Sequence, residues 1–149
     1  SAAVAVAGGK GQYPSLTADA KFHSPYCVAR ALQNGTVELC DFEQRVIESD
    51  ESTKALVDRI TIESSEEFER RFPKAWGARV EVRMTDERLF SSEVRYAKGD
   101  PENPLTEEEL HDKYSDLAES ALGRMQAGLL WERLAGMGKI DDVSDVFAL

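Results

Sequence analysis

Apolar residues follow two different rhythms along this chain, and the change between them marks out its elements. Near the start Val4 and Val6 alternate like a strand before the glycine-rich stretch GGKGQYPSLTAD. Ser24 then reads as a helix N-cap with Pro25 at the first helical position, and that helix stops at Asn34-Gly35. DFEQRVI and DESTKALVDRI read as two further short helices, the first capped by Asp41 with Gln44 as its capping-box partner. From there the period drops to two. Ile60 and Ile62 alternate with polar neighbours, then Ala78, Val80, Val82 and Met84, then Phe90, Ser92, Val94 and Tyr96.

Three strands are predicted from this, near 59–64, 77–85 and 88–97. The short link TDE makes the last two an antiparallel hairpin, and SSEEFERRFPKAWG between the first two reads as a packed loop. The helical rhythm returns in PLTEEELHDKYSDLAESAL. There Thr106 and Glu109 form a capping box, and Leu110, Tyr114, Leu117, Ala118, Ala121 and Leu122 share one face, predicted to be buried. A further helix runs from about Met125 to Leu134, and DDVSDVFAL offers a last short turn. The predicted class is α+β: a small antiparallel sheet with helices on one face, followed by C-terminal helices.

Composition narrows the function. The chain has 149 residues, which suits a single domain. Its 18 Lys plus Arg against 28 Asp plus Glu give a net charge of −10, which repels a phosphate backbone and anionic lipid alike. Neither nucleic acid nor a membrane is therefore expected as a partner. Cys27 and Cys40 are too few for a disulfide scaffold, and the expected compartment is the cytoplasm. The apolar opening SAAVAVAGG is too short to cross a bilayer.

Several chemical constellations fall away on inspection. GGKG lacks the spacing of a P-loop, and His23, Cys27, Cys40 and His111 lack zinc-finger spacing, so no metal site is assigned. With only two histidines, no nucleophilic triad can be built. ADAKFHSPYCVARALQNG survives. It sets Lys21, His23, Ser24 and Tyr26 at the entrance of one helix, where unpaired N–H groups and a partial positive charge can seat a carboxylate or phosphate. The plain alternative is a solvated lysine, a loop histidine and a boundary aromatic, and the spacing alone leaves both open.

DAKFHSPYCVARALQNGTVELCDF resembles the start of the C-terminal part of the MmgE/PrpD family, which contains 2-methylcitrate dehydratase, cis-aconitate decarboxylase and an iminodisuccinate epimerase. YAKGDPENPLTEEELHDKYSDLAESAL is similar to that family's lysine-glycine loop, Asn-Pro turn and following helix. The resemblance runs from about Ala18 to Leu134. It implies a subunit built from a large helical domain and a smaller α+β domain, with the active site between them. Residues 1–149 then form one domain, with 1–123 the α+β portion and 124–149 terminal helices that pack on a helical domain missing from this sequence.

The resemblance also implies roles. Tyr26 matches the active-site tyrosine that opens this helix in cis-aconitate decarboxylases. Lys21 sits where the family commonly has Lys or Arg, and His23 stands where many relatives carry serine. Dehydration, decarboxylation or epimerisation of a polycarboxylate develops charge beside a carboxylate, which fixed positive groups stabilise. Tyr26 would move the proton while Lys21, His23 and Ser24 hold the substrate, with no metal or redox cofactor demanded. Two classes follow: a fragment of a polycarboxylate lyase or isomerase, inactive alone, or a non-catalytic anion-binding or assembly module. The resemblance further implies that Met125, Leu129, Leu130, Leu134, Val143, Val146 and Phe147 lack the cover of the helical domain, and a two-fold homodimer through these helices is expected.

Overall fold

A computed structural model describes residues 13–139 and 142–146. Val4, Val6 and the GGKG stretch lie outside the described residues, as does Phe147. The fold is α+β, with seven α-helices and a two-stranded antiparallel sheet among the described residues. The chain divides into two compact units, Ser1–Glu93 and Val94–Leu149.

The first unit opens with α1 (Thr17–Lys21) and α2 (Ser24–Asn34). Gly35 ends α2 in the left-handed region, φ 80°, and its N–H closes the last turn on the Ala31 carbonyl at 2.9 Å. A single 3₁₀ turn, Leu39–Phe42, leads to α3 (Gln44–Ser49) and α4 (Glu51–Val57). Asp41 does not cap α3. It lies inside the 3₁₀ turn, and Glu43 takes the cap position without a side-chain hydrogen bond. Asp50 caps α4 by accepting from the Thr53 N–H at 2.9 Å. Ala20, Tyr26, Ala29, Ile47 and Val57 form the buried core, with Tyr13, Phe42, Leu56 and Ile60 packed around it.

Two predicted elements change identity. The strand near 59–64 is absent, because the end of α4 captures its first residues: the Ile60 N–H bonds the Val57 carbonyl at 3.0 Å, and Ile60 turns into the core. The expected loop carries α5 (Glu66–Arg71). Its first turn is acidic and its last basic, which complements the helix dipole, and Glu67 pairs with Arg71 one turn on.

The sheet is the hairpin β1 (Ala78–Arg83) and β2 (Leu89–Val94). The Met84 N–H donates to the Arg88 carbonyl at 2.8 Å, and the Glu87 N–H to the Met84 carbonyl at 3.1 Å. Thr85, Asp86 and Glu87 therefore make a three-residue loop with Glu87 left-handed at φ 68°. This register sets Arg79 opposite Glu93, 2.6 Å apart. α5 lies over that face: Arg71 reaches Glu93 at 3.1 Å, and the Arg71 and Arg79 guanidinium groups stack on the Phe68 ring. The opposite face leaves Val80, Met84, Phe90 and Val94 exposed.

The second unit is a helical hairpin of α6 (Glu107–Leu122) and α7 (Arg124–Ala135). The capping box forms as the sequence implies: Thr106 Oγ1 accepts from the Glu109 N–H at 3.1 Å, and Glu109 Oε2 from the Thr106 N–H at 2.7 Å. Trp131 on α7 packs against His111 and Tyr114, and the Tyr114 hydroxyl donates to the Ala127 carbonyl at 2.8 Å. The predicted buried face of α6 is only partly covered. Tyr114 and Ala118 are half-buried, whereas Leu110 and Leu117 remain 48% and 44% exposed, because one facing helix covers only one side of a wide apolar stripe. On α7, Leu130 and Leu134 are half-buried and Met125 and Leu129 are open; Val146 is fully buried.

Glu87 gives a direct test of the hairpin loop. A non-glycine residue in the left-handed region carries roughly 1–2 kcal/mol of strain, so Glu87→Gly is expected to stabilise the chain by about 0.5–1 kcal/mol after the added unfolded-state freedom is set against it. Chemical denaturation of the two proteins checks this.

Candidate functional site

The entrance of α2 is built on a histidine cap. His23, not Ser24, is the N-cap residue, and its Nδ1 accepts from the Tyr26 N–H at 3.1 Å. An imidazole nitrogen does here what a serine hydroxyl does elsewhere, which starts the helix one residue earlier than expected and places Pro25 at the second helical position. Because Nδ1 accepts, the ring proton is assigned to Nε2, which is buried without a hydrogen-bond partner among the described residues.

The four predicted site residues separate by depth. Lys21 is exposed at the end of α1, Ser24 is half-buried, His23 is 7% exposed and Tyr26 is fully buried. The Tyr26 hydroxyl donates to the Asp41 backbone carbonyl, and its ring packs edge-on to Tyr13 and tilted against Phe42. Burial pushes the Tyr26 phenol above its ordinary value and takes Tyr13 up to about 12. The helix entrance offers few donors to an anion. Pro25 has no N–H, the Tyr26 N–H goes to His23 Nδ1, and the Cys27 N–H goes to the His23 carbonyl at 3.1 Å.

Sequence reasoning missed the charged cluster behind this entrance. Arg30, one turn along α2 from Tyr26, points its guanidinium between two carboxylates. Nε and Nη2 donate to Asp41 Oδ1 at 3.0 and 2.5 Å, and Nη1 donates to Asp50 Oδ2 at 2.5 Å. Asn34 Nδ2 adds a bond to Asp41 Oδ1 at 3.2 Å, and the Glu38 N–H serves Oδ2 at 2.8 Å. Asp41 is thus a carboxylate 2% exposed with both oxygens occupied. Burial alone would raise the Asp50 carboxyl. Hydrogen bonds from Ser52 and Thr53 outweigh that, and with the Arg30 charge they hold it at about 2. The available signal was an arginine on the apolar side of a short helix, with aspartates 11 and 20 residues away.

Elsewhere, Lys98 pairs with Glu109 at 2.8 Å, so the lysine-glycine loop is tied to the start of α6. The loop closes on itself: Gly99, at φ 100°, donates to the Asn103 carbonyl at 2.8 Å, and Asn103 Nδ2 donates to the Tyr96 carbonyl at 3.0 Å. Among the described residues no three of His, Cys, Asp and Glu converge as a metal cluster, and Cys27 and Cys40 are free thiols. No helix among them is long and apolar enough to cross a membrane.

The profile of the MmgE/PrpD C-terminal domain matches residues 1–133. The chain belongs to the MmgE/PrpD family. No curated protein matches it significantly. Both stretches that carried the resemblance, the α2 entrance and the lysine-glycine loop with α6, fall inside the matched range.

Two predictions follow from the Arg30 cluster. Arg30→Ala leaves Asp41 buried without a cation and is expected to cost about 3–5 kcal/mol, with Arg30→Lys recovering only part because the fork is lost; urea denaturation measures both. For Asp50, a carboxyl held at about 2 against an ordinary 3.8 contributes stability that is complete above pH 4 and disappears as pH falls towards 2. Solvent screening of this partly exposed group limits it to about 1–2 kcal/mol. The stability difference between wild type and Asp50→Asn should therefore be constant above pH 4 and collapse near pH 2.

Proposed function

We propose that this domain is the C-terminal part of a metal-independent lyase or isomerase acting on small polycarboxylates, of the 2-methylcitrate dehydratase or cis-aconitate decarboxylase kind, and that it is inactive alone. The observation that carries the reading is the family match over residues 1–133, which includes the entrance of α2. Its missing partner is the helical domain that the family resemblance implies, and the intact protein is a cytoplasmic homodimer.

Within this reading Lys21 is the group that meets a substrate carboxylate, since it is the exposed cation of the four. His23 and Ser24 shape the entrance beside it. Tyr26 meets substrate only by releasing the Asp41 carbonyl, since its single phenolic proton is engaged there. Proton delivery by Tyr26 thus requires the helical domain to open that bond; otherwise the residue acts by positioning.

A second reading, an assembly module without catalysis, is favoured by the open apolar side chains Leu110, Leu117, Met125 and Leu129. Turnover of cis-aconitate and 2-methylcitrate by the chain, alone and supplied with a family helical domain, separates the two. The lyase reading expects none alone and measurable turnover with the partner, and persistent inactivity would favour the module. In the active pair, Tyr26→Phe is expected to cost about 1 kcal/mol or more of stability by orphaning the Asp41 carbonyl. Proton delivery would add a ten- to ten-thousandfold fall in kcat; kcat unchanged in the folded variant would assign Tyr26 to positioning.

A further inference from the structure

The hairpin has an unusual combination of free edge and charge pattern. Among the described residues its sheet contains two strands, and the outer edge of β1 has no strand partner there. Because Met84 and Arg88 form the closing hydrogen-bonded pair, parity turns the backbone groups of Arg79, Glu81 and Arg83 outward, away from β2. Such an edge pairs with another strand unless its side chains forbid it. A row of like charges would do so. β1 instead reads Ala-Arg-Val-Glu-Val-Arg, with charges of alternating sign on one face and small or branched apolar residues on the other.

We infer that β1 is the two-fold contact through which this chain pairs with a second copy of itself, antiparallel and centred on Val82. This rests on the homodimer proposed above and places its contact on the sheet edge, not on the C-terminal helices. In this register Val82 faces Val82 of the second copy, Val80 faces Met84 twice, and Glu81 faces Arg83 twice. The outward backbone groups of Glu81 and Arg83 fall opposite one another and make the inter-strand hydrogen bonds. The two hairpins become one four-stranded sheet, β2-β1-β1-β2, which moves the structure out of the range where a two-stranded sheet is marginal.

Charge decides between registers. Arg79 is already held by Glu93 at 2.6 Å and approaches Glu67 at 3.5 Å. Glu81 and Arg83 are exposed and make no ion pair among the described residues. Centring on Val82 pairs these two with each other, and centring on Glu81 would set Glu81 against itself. α5 does not obstruct the contact, because its ion pairs lie over the sheet face at Arg79 and Glu93. One pair of strands buries less than a standard interface, so the association is concentration-dependent.

The test uses the 149-residue chain. Sedimentation across a concentration series is expected to show a reversible dimer. Arg83→Glu, an exposed position, should weaken it about tenfold by turning two attractions into repulsions, and Glu81→Arg combined with Arg83→Glu should restore it. Val82→Cys in a Cys40→Ser background places two thiols across the axis with Cβ atoms about 4.5–5.5 Å apart, so mild oxidation should give a covalent dimer, located by mass spectrometry to position 82. A strict monomer at high concentration overturns both the dimer and this contact. A dimer that ignores Arg83→Glu and forms no disulfide at position 82 overturns the contact alone and returns the interface to the helices.

Discussion

One arginine between two aspartates organises the first unit. Asp41 is almost wholly buried, and a carboxylate in that position is tolerable only with a cation and a full set of hydrogen bonds. Arg30 supplies the cation, Asn34 and the Glu38 N–H complete the bonds, and Asp50 takes the remaining side of the guanidinium. These contacts join α2, the 3₁₀ turn and the start of α4. The Asp41 backbone carbonyl accepts the Tyr26 hydroxyl, so the ion cluster and the aromatic core are continuous. Displacing Asp41 would strand a charge and a phenol together.

That continuity bears on the chemistry at the α2 entrance. A bare helix start would present several N–H groups to an anion, but here a proline, a histidine cap and an intrahelical bond use up most of them. What remains at the rim is side-chain charge, chiefly the exposed Lys21.

The outer face of the hairpin and the open side of the α6–α7 pair each expose several large side chains. Each unit thus leaves apolar area uncovered, and in the first the Tyr13 hydroxyl and His23 Nε2 are buried without a hydrogen-bond partner among the described residues.

Elements carried by local chemistry were legible in the sequence. Thr106 and Glu109 form their capping box from residues three apart, Asn34-Gly35 ends α2 because glycine accepts the left-handed conformation, and the hairpin follows from alternation on both sides of a three-residue link. The α+β class and the family came with them, since both rest on contiguous strings. What the sequence could not decide depended on partners distant along the chain. Ile60 and Ile62 have a strand's alternation, but the core drew Ile60 into the end of α4 instead. Asp41 has a cap residue's neighbours, but Arg30, 11 positions earlier, claimed its carboxylate. Tyr26 was placed correctly on its helix while its depth was invisible, because burial depends on what Phe42, Tyr13 and Asp41 bring to it from elsewhere. Hydrogen-bond patterns within a few residues are written in the residues themselves; which charge is buried, and against what, is settled only when the chain closes on itself.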